Sequence, residues 1–465
     1  MVERFVQDFI PRIVLAGLSG GTGKTIVSLA LARAFSRAGK HVAPFKKGPD
    51  YIDAQWLGLA AGRSCSNLDP FFHSSETIRS IFFHKSRNAD VCVIEGNRGL
   101  FDGMDEHGSC STAELARVLD APVILAIDCT KMTRTVAAII KGCAEFEPGV
   151  NLAGVILNRT AGERHRSVLA KSVATHTGVP VLGMLPKIGS NPIPERHMGL
   201  MSDQEYDGSA HLDKLADMAD EWLDMDAIFQ AACSAPAFGP EPAPLFPGEP
   251  KDKKVRIGYV HDAALWFYYP ENLEALEHAG AELVRVSLLA DDPWPDIDGL
   301  YLGGGFPEVF AAEIAANRSV LDHLRELSLA GLPIYAECGG FMVLCDALEI
   351  HGATHAMAGV FPVSTAFCPR PQGLGYTEAE VMLENPFFEF GSRILGHEFH
   401  YSLCVSDAPV TVPTGLMMHR GKGSAIGHDG FLKNNTLAGY NHIHALAVPG
   451  WADRFVAAAS RFRYS

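Results

Sequence analysis

From Val14 to Thr25 the chain reads Val-Leu-Ala-Gly-Leu-Ser-Gly-Gly-Thr-Gly-Lys-Thr. Ile13 to Ala16 is a continuous apolar run and predicts a buried strand. Ile26, Leu29, Ala30, Ala32 and Phe35 then recur at helical spacing. A strand, a glycine-rich turn and a helix in that order make a phosphate loop. The turn, Gly20-Gly21-Thr22-Gly23, lets successive backbone N–H groups face one concavity, and the helix N-terminus adds partial positive charge. Lys24 is placed to neutralise the β- and γ-phosphates of ATP, and the Thr25 hydroxyl to ligate Mg²⁺. The pattern departs from its strict form at Leu18, which takes the place of the first glycine. Ser19 stands where some related ATPases carry a second lysine.

Further strands ending in polar residues follow. His41 to Phe45 predicts a short strand running into Lys46-Lys47-Gly48-Pro49-Asp50-Tyr51-Ile52-Asp53. Asp90 to Glu95 closes on a carboxylate, a position that in a phosphate-loop domain holds Mg²⁺ or its water. Pro122 to Asp128, Val150 to Asn158 and Val179 to Leu185 are also continuous apolar runs. Strands without alternation, separated by helical stretches, predict an α/β, doubly wound parallel sheet covered on both faces. The C-terminal ends of such strands are where these sheets bind ligands. Asn158 reads either as a reader of an adenine edge or as a plain turn residue.

A chain of 465 residues allows two domains, each with a proper core. The composition changes from Ala231 to Lys254, with Pro240, Pro242, Pro244, Pro247 and Pro250 among small residues. This predicts a linker over 229–253 between domains at 1–228 and 254–465. No apolar run is long enough to span a membrane, and the N-terminus lacks a signal-peptide core, so a cytoplasmic protein is expected. The ten cysteines show no C-x-x-C pair, which favours reduced thiols. A net charge of −15 argues against general nucleic-acid binding, so an anionic substrate needs a local donor site.

The second half carries a different chemistry. Pro333 to Met342 reads as a strand, a turn of small residues and a helix, with Cys338 at the turn. This is the pattern of a nucleophile elbow. The helix N-terminus is expected to lower the thiol pKa. The Gly303-Gly304-Gly305 loop offers N–H donors for an oxyanion, and His442, late in the chain, is a candidate base.

Taken together, the two halves resemble the cobyrinic acid a,c-diamide synthase family. The resemblance rests on Gly20 to Thr25, Phe45 to Asp53, Asn67-Leu68-Asp69, Glu95 with Leu100 to Gly103, and Pro194 to Leu200. In the second half it rests on Phe267 to Asn272, Gly304 to Glu308, Ala336 to Gly340 and Gly396 to Tyr401. It implies an N-terminal domain like dethiobiotin synthetase and a C-terminal class I-like glutamine amidotransferase domain. The implied reaction converts the a and c acetate carboxylates of cobyrinic acid to amides, through acyl phosphates made from ATP. Cys338 with His442, rather than His444, would release ammonia from glutamine, without a well-placed third acid. Asp50, Glu95, Asp102 and Thr25 would hold Mg²⁺, Asp50 and Asp53 would act in catalysis, and Tyr51, Ile52, Gly303 and Gly304 would contact substrates. The resemblance leaves a homodimer open.

The chain departs from the family at Asn97-Arg98, in the basic loop from Asp128 to Thr135, and at Asn441 and Ala445-Leu446-Ala447. Extra arginines near the synthetase site leave sirohaem or nickel-sirohydrochlorin open as alternative macrocycles. A partitioning-type regulatory ATPase is an alternative of another class, disfavoured by Ser19 and by the attached Cys338 domain. A further alternative, a cobyric acid synthase-like scaffold, is disfavoured by the intact elbow cysteine.

Overall fold

The computed structural model describes residues 9–187, 195–196, 199–200, 208–405 and 412–464. The chain divides into two compact units, Met1–Leu245 and Phe246–Ser465.

The first unit is built on seven strands: β1 (Arg12–Gly17), β2 (Val42–Lys47), β3 (Ser66–Leu68), β4 (Val91–Glu95), β5 (Val123–Asp128), β6 (Leu152–Thr160) and β7 (Val181–Pro186). They pair in parallel, in the order β3-β2-β4-β1-β5-β6-β7. This is the doubly wound sheet that the unalternating apolar runs predict. Every residue of β1, β2 and β4 is buried, because helices cover both faces. The order reverses between β4 and β1 on one side and β5 on the other, so the loops after these strands open into one crevice. Strand β2 ends two residues later than expected. That extension carries Lys46 and Lys47 into the sheet interior, where both are buried.

The proline-rich stretch begins within the fold of the first unit. Met225–Cys233 is a helix whose Ile228 and Ala232 are buried. Beyond it, the Phe238 ring lies 5.2 Å from that of Phe82, beneath the guanidinium groups of Arg12 and Arg79. Buried Arg12 donates to the Pro236 carbonyl at 3.0 Å, and Ser80 donates to that of Ala243 at 2.6 Å. Proline there fits because the strap is held through its carbonyl groups and needs few backbone N–H donors. Of the Pro194–Leu200 motif, Pro194, His197 and Met198 lie outside the described residues. Glu195–Arg196 and Gly199–Leu200 pair antiparallel.

The second unit has a ten-stranded mixed sheet. Its parallel half runs Ala281–Val286, Val255–Val260, Gly299–Leu302, Ile334–Glu337, Thr436–Gly439. The antiparallel half continues through His428–Lys433, Thr414–Arg420, Gly373–Val381 and Arg393–His400 to His442–Ile443. Thus Ile334–Glu337, which leads to Cys338, lies beside Thr436–Gly439, which leads to His442. A two-stranded ribbon of Leu265–Phe267 and Gly304–Gly305 carries the glycine loop.

Candidate active sites

In the first unit, β1 leads through Leu18 to Gly23 into helix α1 (Lys24–Arg37). Gly23 caps α1 with φ 93°, and a Cβ there would meet Asn158 Nδ2 at 2.2 Å, so only glycine fits. Asn158 explains the approach: its side-chain amide donates to the Thr22 carbonyl at 2.9 Å, and its oxygen accepts from Arg159 N–H at 2.8 Å. Asn158 therefore braces the phosphate loop and is not a plain turn residue. Lys24, 7% exposed, donates to the Ser19 carbonyl at 2.8 Å, and burial lowers its pKa.

Three of the sequence-predicted acids, Asp50, Asp53 and Glu95, converge on Lys46, to which sequence reasoning assigned no role in the site. Lys46 Nζ lies 2.7 Å from Asp53 Oδ2, 3.0 Å from Glu95 Oε1 and 3.7 Å from Asp50 Oδ2. Thr25 joins them by donating to Glu95 Oε1 at 2.6 Å. Asp50 also caps helix α2 (Tyr51–Ala61), accepting from Asp53 N–H at 3.0 Å. Asn67 fixes the turn before the cap by donating to the Gly48 and Asp50 carbonyls at 2.7 and 3.0 Å.

Three carboxylates around one ammonium leave an excess of negative charge. Burial, and then the charge of Asp53, push the Asp50 carboxyl up to about 7. Burial also raises Glu95. For Asp53, burial acts upward but is outweighed by Lys46, so its pKa falls. Lys46 itself is held well above its ordinary value: burial opposes the charge, and Asp53, Glu95 and Asp50 prevail.

Other predicted residues fall elsewhere. Asp102 stands apart from this cluster; it is exposed, accepts from Gly99 N–H at 2.9 Å, and contributes its charge to Lys24. Of the two substrate residues on the first turn of α2, Tyr51 is half-buried but Ile52 packs into the core. Arg98 is exposed, at φ 52°.

In the second unit, Cys338 sits at φ 48°, ψ −103°, between the strand ending at Glu337 and the helix Gly339–Leu344. Its N–H donates to the Gly439 carbonyl at 2.7 Å. This is a nucleophile elbow, strained as the tight turn requires. The expected lowering of its thiol pKa is not found. Burial, and then the charge of Glu308, push the thiol up, and the N–H of Gly339 offsets only part of this. The thiol therefore needs a base.

His442 is 2% exposed, with Nδ1 3.5 Å from Glu337 Oε2 and its ring stacked 4.8 Å from that of His397. Asp429 positions the segment before it, accepting from the N–H groups of Tyr440 and Asn441 at 3.1 and 2.9 Å. A Cβ on Gly304 would lie 2.5 Å from His442 Cε1, so glycine is required where the loop crosses the imidazole. Gly303 is corrected as an oxyanion donor: its N–H is taken by the Tyr268 hydroxyl at 2.7 Å. His444 faces Glu271 at 3.5 Å, fully buried. The Gly396–Tyr401 motif is mainly a brace, with Glu398 accepting from Lys422 and Gly423 N–H groups at 2.7 and 3.0 Å.

Two family models match the two units. A CobQ/CobB/MinD/ParA nucleotide-binding domain matches residues 13–200, and a CobB/CobQ-like glutamine amidotransferase domain matches residues 256–449. The cobyrinate a,c-diamide synthase of Magnetococcus marinus is 42% identical over 453 residues, covering 95% of this chain and 96% of the relative. The chain belongs to the cobyrinate a,c-diamide synthase family. Family members from Syntrophotalea carbinolica and Archaeoglobus fulgidus are 40% and 39% identical, over 96% and 97% of this chain and 98% of each relative. Membership makes the chain a glutamine-dependent ligase with a nucleotide-binding domain. Neither the sirohaem and nickel-sirohydrochlorin readings nor a regulatory ATPase is favoured, since relatives with the cobyrinate name match nearly end to end. No helix among the described residues is long and apolar enough to cross a membrane.

Proposed function

We propose that this protein amidates the a and c acetate groups of cobyrinic acid, using ATP and glutamine. The observation that carries the reading is that both chemical centres are built within one chain whose relatives bear that activity's name along nearly their whole length. A substrate carboxylate oxygen attacks the γ-phosphorus of ATP, the bond to the β-phosphate oxygen breaks, and ADP leaves. Ammonia then attacks the acyl carbon, phosphate departs, and the nitrogen loses a proton to give the amide. Backbone N–H groups of Gly20 to Gly23 and the ammonium of Lys24 stabilise charge on the transferring phosphoryl group. Tyr51 is the residue of its turn still available to the macrocycle.

The first site suits a divalent cation. Glu95 Oε2 is buried and has no hydrogen-bond partner among the described residues, and the carboxylates outnumber the ammonium that faces them. Thr25, Asp50 and Glu95 would hold Mg²⁺, with oxygen donors of the kind that ion prefers. When bound, it supplies positive charge to the β- and γ-phosphates.

In the second unit, His442 takes the Cys338 proton and the thiolate attacks the glutamine side-chain carbonyl. The C–N bond breaks and ammonia leaves with the proton from His442. Water hydrolyses the thioester to glutamate. Gly304, whose backbone passes beside the His442 ring, is the glycine of the loop left as the oxyanion donor in this reading. The reading includes a cytoplasmic location, no nucleic-acid partner and a homodimer.

The test is mass spectrometry after incubation with ATP, Mg²⁺, glutamine and each macrocycle separately. Two hydroxyl-to-amino exchanges on cobyrinic acid are expected. Exchange only on sirohaem or nickel-sirohydrochlorin would replace the substrate assignment, and no exchange on any macrocycle would overturn the reading.

A further inference from the structure

An imidazole that takes a proton from a buried thiol becomes a cation, and it needs both a fixed tautomer and a counter-charge. His444, two residues after His442, supplies no carboxylate; its own ring faces Glu271. His397, stacked on His442, has its pKa held well below the ordinary value by burial and then by His442 and His444. The anion beside His442 comes from another strand: Glu337, the residue immediately before Cys338.

Glu337 is fully buried and held at both oxygens. Oε1 accepts from Tyr335 OH and from Ile443 N–H, each at 3.1 Å. Oε2 accepts from Tyr301 OH at 3.0 Å, and Asn272 in turn donates to the Tyr301 hydroxyl at 3.2 Å. One carboxylate is thus bonded to the strand that leads to the nucleophile and to the strand that carries the base. Its second oxygen is aimed at His442 Nδ1, 3.5 Å away. That separation exceeds a good hydrogen bond, and such contacts tighten as charge develops.

We propose that Glu337 is the orienting acid of the glutaminase site, holding His442 with Nδ1–H toward its Oε2 and Nε2 toward the Cys338 thiol. This rests on the assignment of Cys338 and His442 as nucleophile and base. The thiol proton moves to Nε2 and leaves with ammonia, while Glu337 takes no proton and balances the imidazolium. It is a positioning residue and touches no substrate. Glu337 and His397 both face His442, with Tyr301 and Tyr335 behind the carboxylate and the His444–Glu271 pair beyond.

The test is Glu337→Gln in the full chain, assayed by glutamate release. A glutamine keeps an oxygen acceptor and the shape but loses the charge. Glutamine kcat is expected to fall by about 10²- to 10⁴-fold, with KM within about threefold of wild type. The acidic limb of the kcat/KM profile moves to lower pH, because an imidazolium without its anion loses its proton more readily. A purely structural role would leave that limb in place. A kcat within about threefold of wild type and an unmoved limb would overturn the proposal.

Should the variant fail to fold, ¹⁵N NMR of histidine-labelled wild-type protein, with His442 assigned by comparison with His442→Gln, reads the tautomer directly. Nδ1–H supports the proposal and Nε2–H overturns it. A Cys338→Ala variant that still hydrolyses glutamine overturns the nucleophile assignment and this inference together. An inert Cys338→Ala beside an unaffected Glu337→Gln overturns the inference alone.

Discussion

The Thr25 hydroxyl donates to Glu95 Oε1 at 2.6 Å, joining the start of α1 to the end of β4 across a gap of 70 positions in the chain. The contact couples the phosphate loop to the acidic cluster, because Glu95 is also 3.0 Å from Lys46 Nζ. Lys24, on the same first turn, faces the loop instead, through Ser19. Lys24→Ala is therefore expected to abolish ATP-dependent amidation while leaving glutamine hydrolysis measurable, since that chemistry belongs to the other unit. Product analysis and glutamate release on the same preparation check this. Amidation at the wild-type rate would remove Lys24 from the phosphate site.

Lys46 makes a second prediction. Its side chain is 3% exposed, and it neutralises Asp53 and Glu95 directly. Lys46→Met keeps the apolar stem but leaves buried carboxylates facing one another. Breaking a buried pair in this way costs about 3–5 kcal/mol. Urea unfolding without added metal is expected to show a loss of that order, partly recovered with Mg²⁺. Unchanged stability would mean that the ammonium contributes nothing to the cluster.

Much of this architecture was legible in the chain. The unalternating runs of β1, β4 and β5 predict buried parallel strands, and each is one. The cysteine elbow was legible because small residues at 336, 339 and 340 surround a single thiol. The role of Lys46 was not, because two lysines and two carboxylates after a strand read equally as a ligand-binding strand end or a solvated turn, whereas β2 continues through Lys47 and buries both lysines. Glu337 and Asp429 were not legible either. Their partners lie on strands that become neighbours only after the sheet has formed, as with Glu337 and Ile443 N–H or Asp429 and Asn441 N–H. The anchoring of the proline-rich strap was not legible for a related reason. Composition marks it as extended chain, but Phe238 and the carbonyls of Pro236 and Ala243 anchor it to the first unit.

The acidic cluster also predicts a pH dependence. Asp50 has its pKa raised from 3.8 to about 7 in the folded protein, chiefly by burial. Between those values the folded state holds the proton more tightly than the unfolded chain. Stability from this group therefore falls as pH rises from about 4 to about 7. Glu95 acts in the same direction. Asp50→Asn preserves a good helix cap and removes the titration. Melting temperatures measured in chelator are expected to fall less across this window for the variant than for wild type. Equal slopes would remove Asp50 as their source.

The last prediction separates the two chemistries. Cys338 supplies the ammonia and takes no part in forming the acyl phosphate, so Cys338→Ala should lose glutamine-dependent amidation. It should retain ATP-dependent amidation when given an ammonium salt at mildly alkaline pH, where more free ammonia is present. His442→Ala should behave likewise, since without it the thiol, raised by burial, has no acceptor for its proton. His444→Ala should act through stability instead: its ring is fully buried against Glu271, and removing it leaves that carboxylate facing a cavity. Its melting temperature should drop while the surviving folded enzyme keeps most of its glutamine kcat. Glutamine-dependent amidation by Cys338→Ala would move the nucleophile elsewhere. Failure of ammonium to rescue a folded Cys338→Ala would count against an independent synthetase site in the first unit.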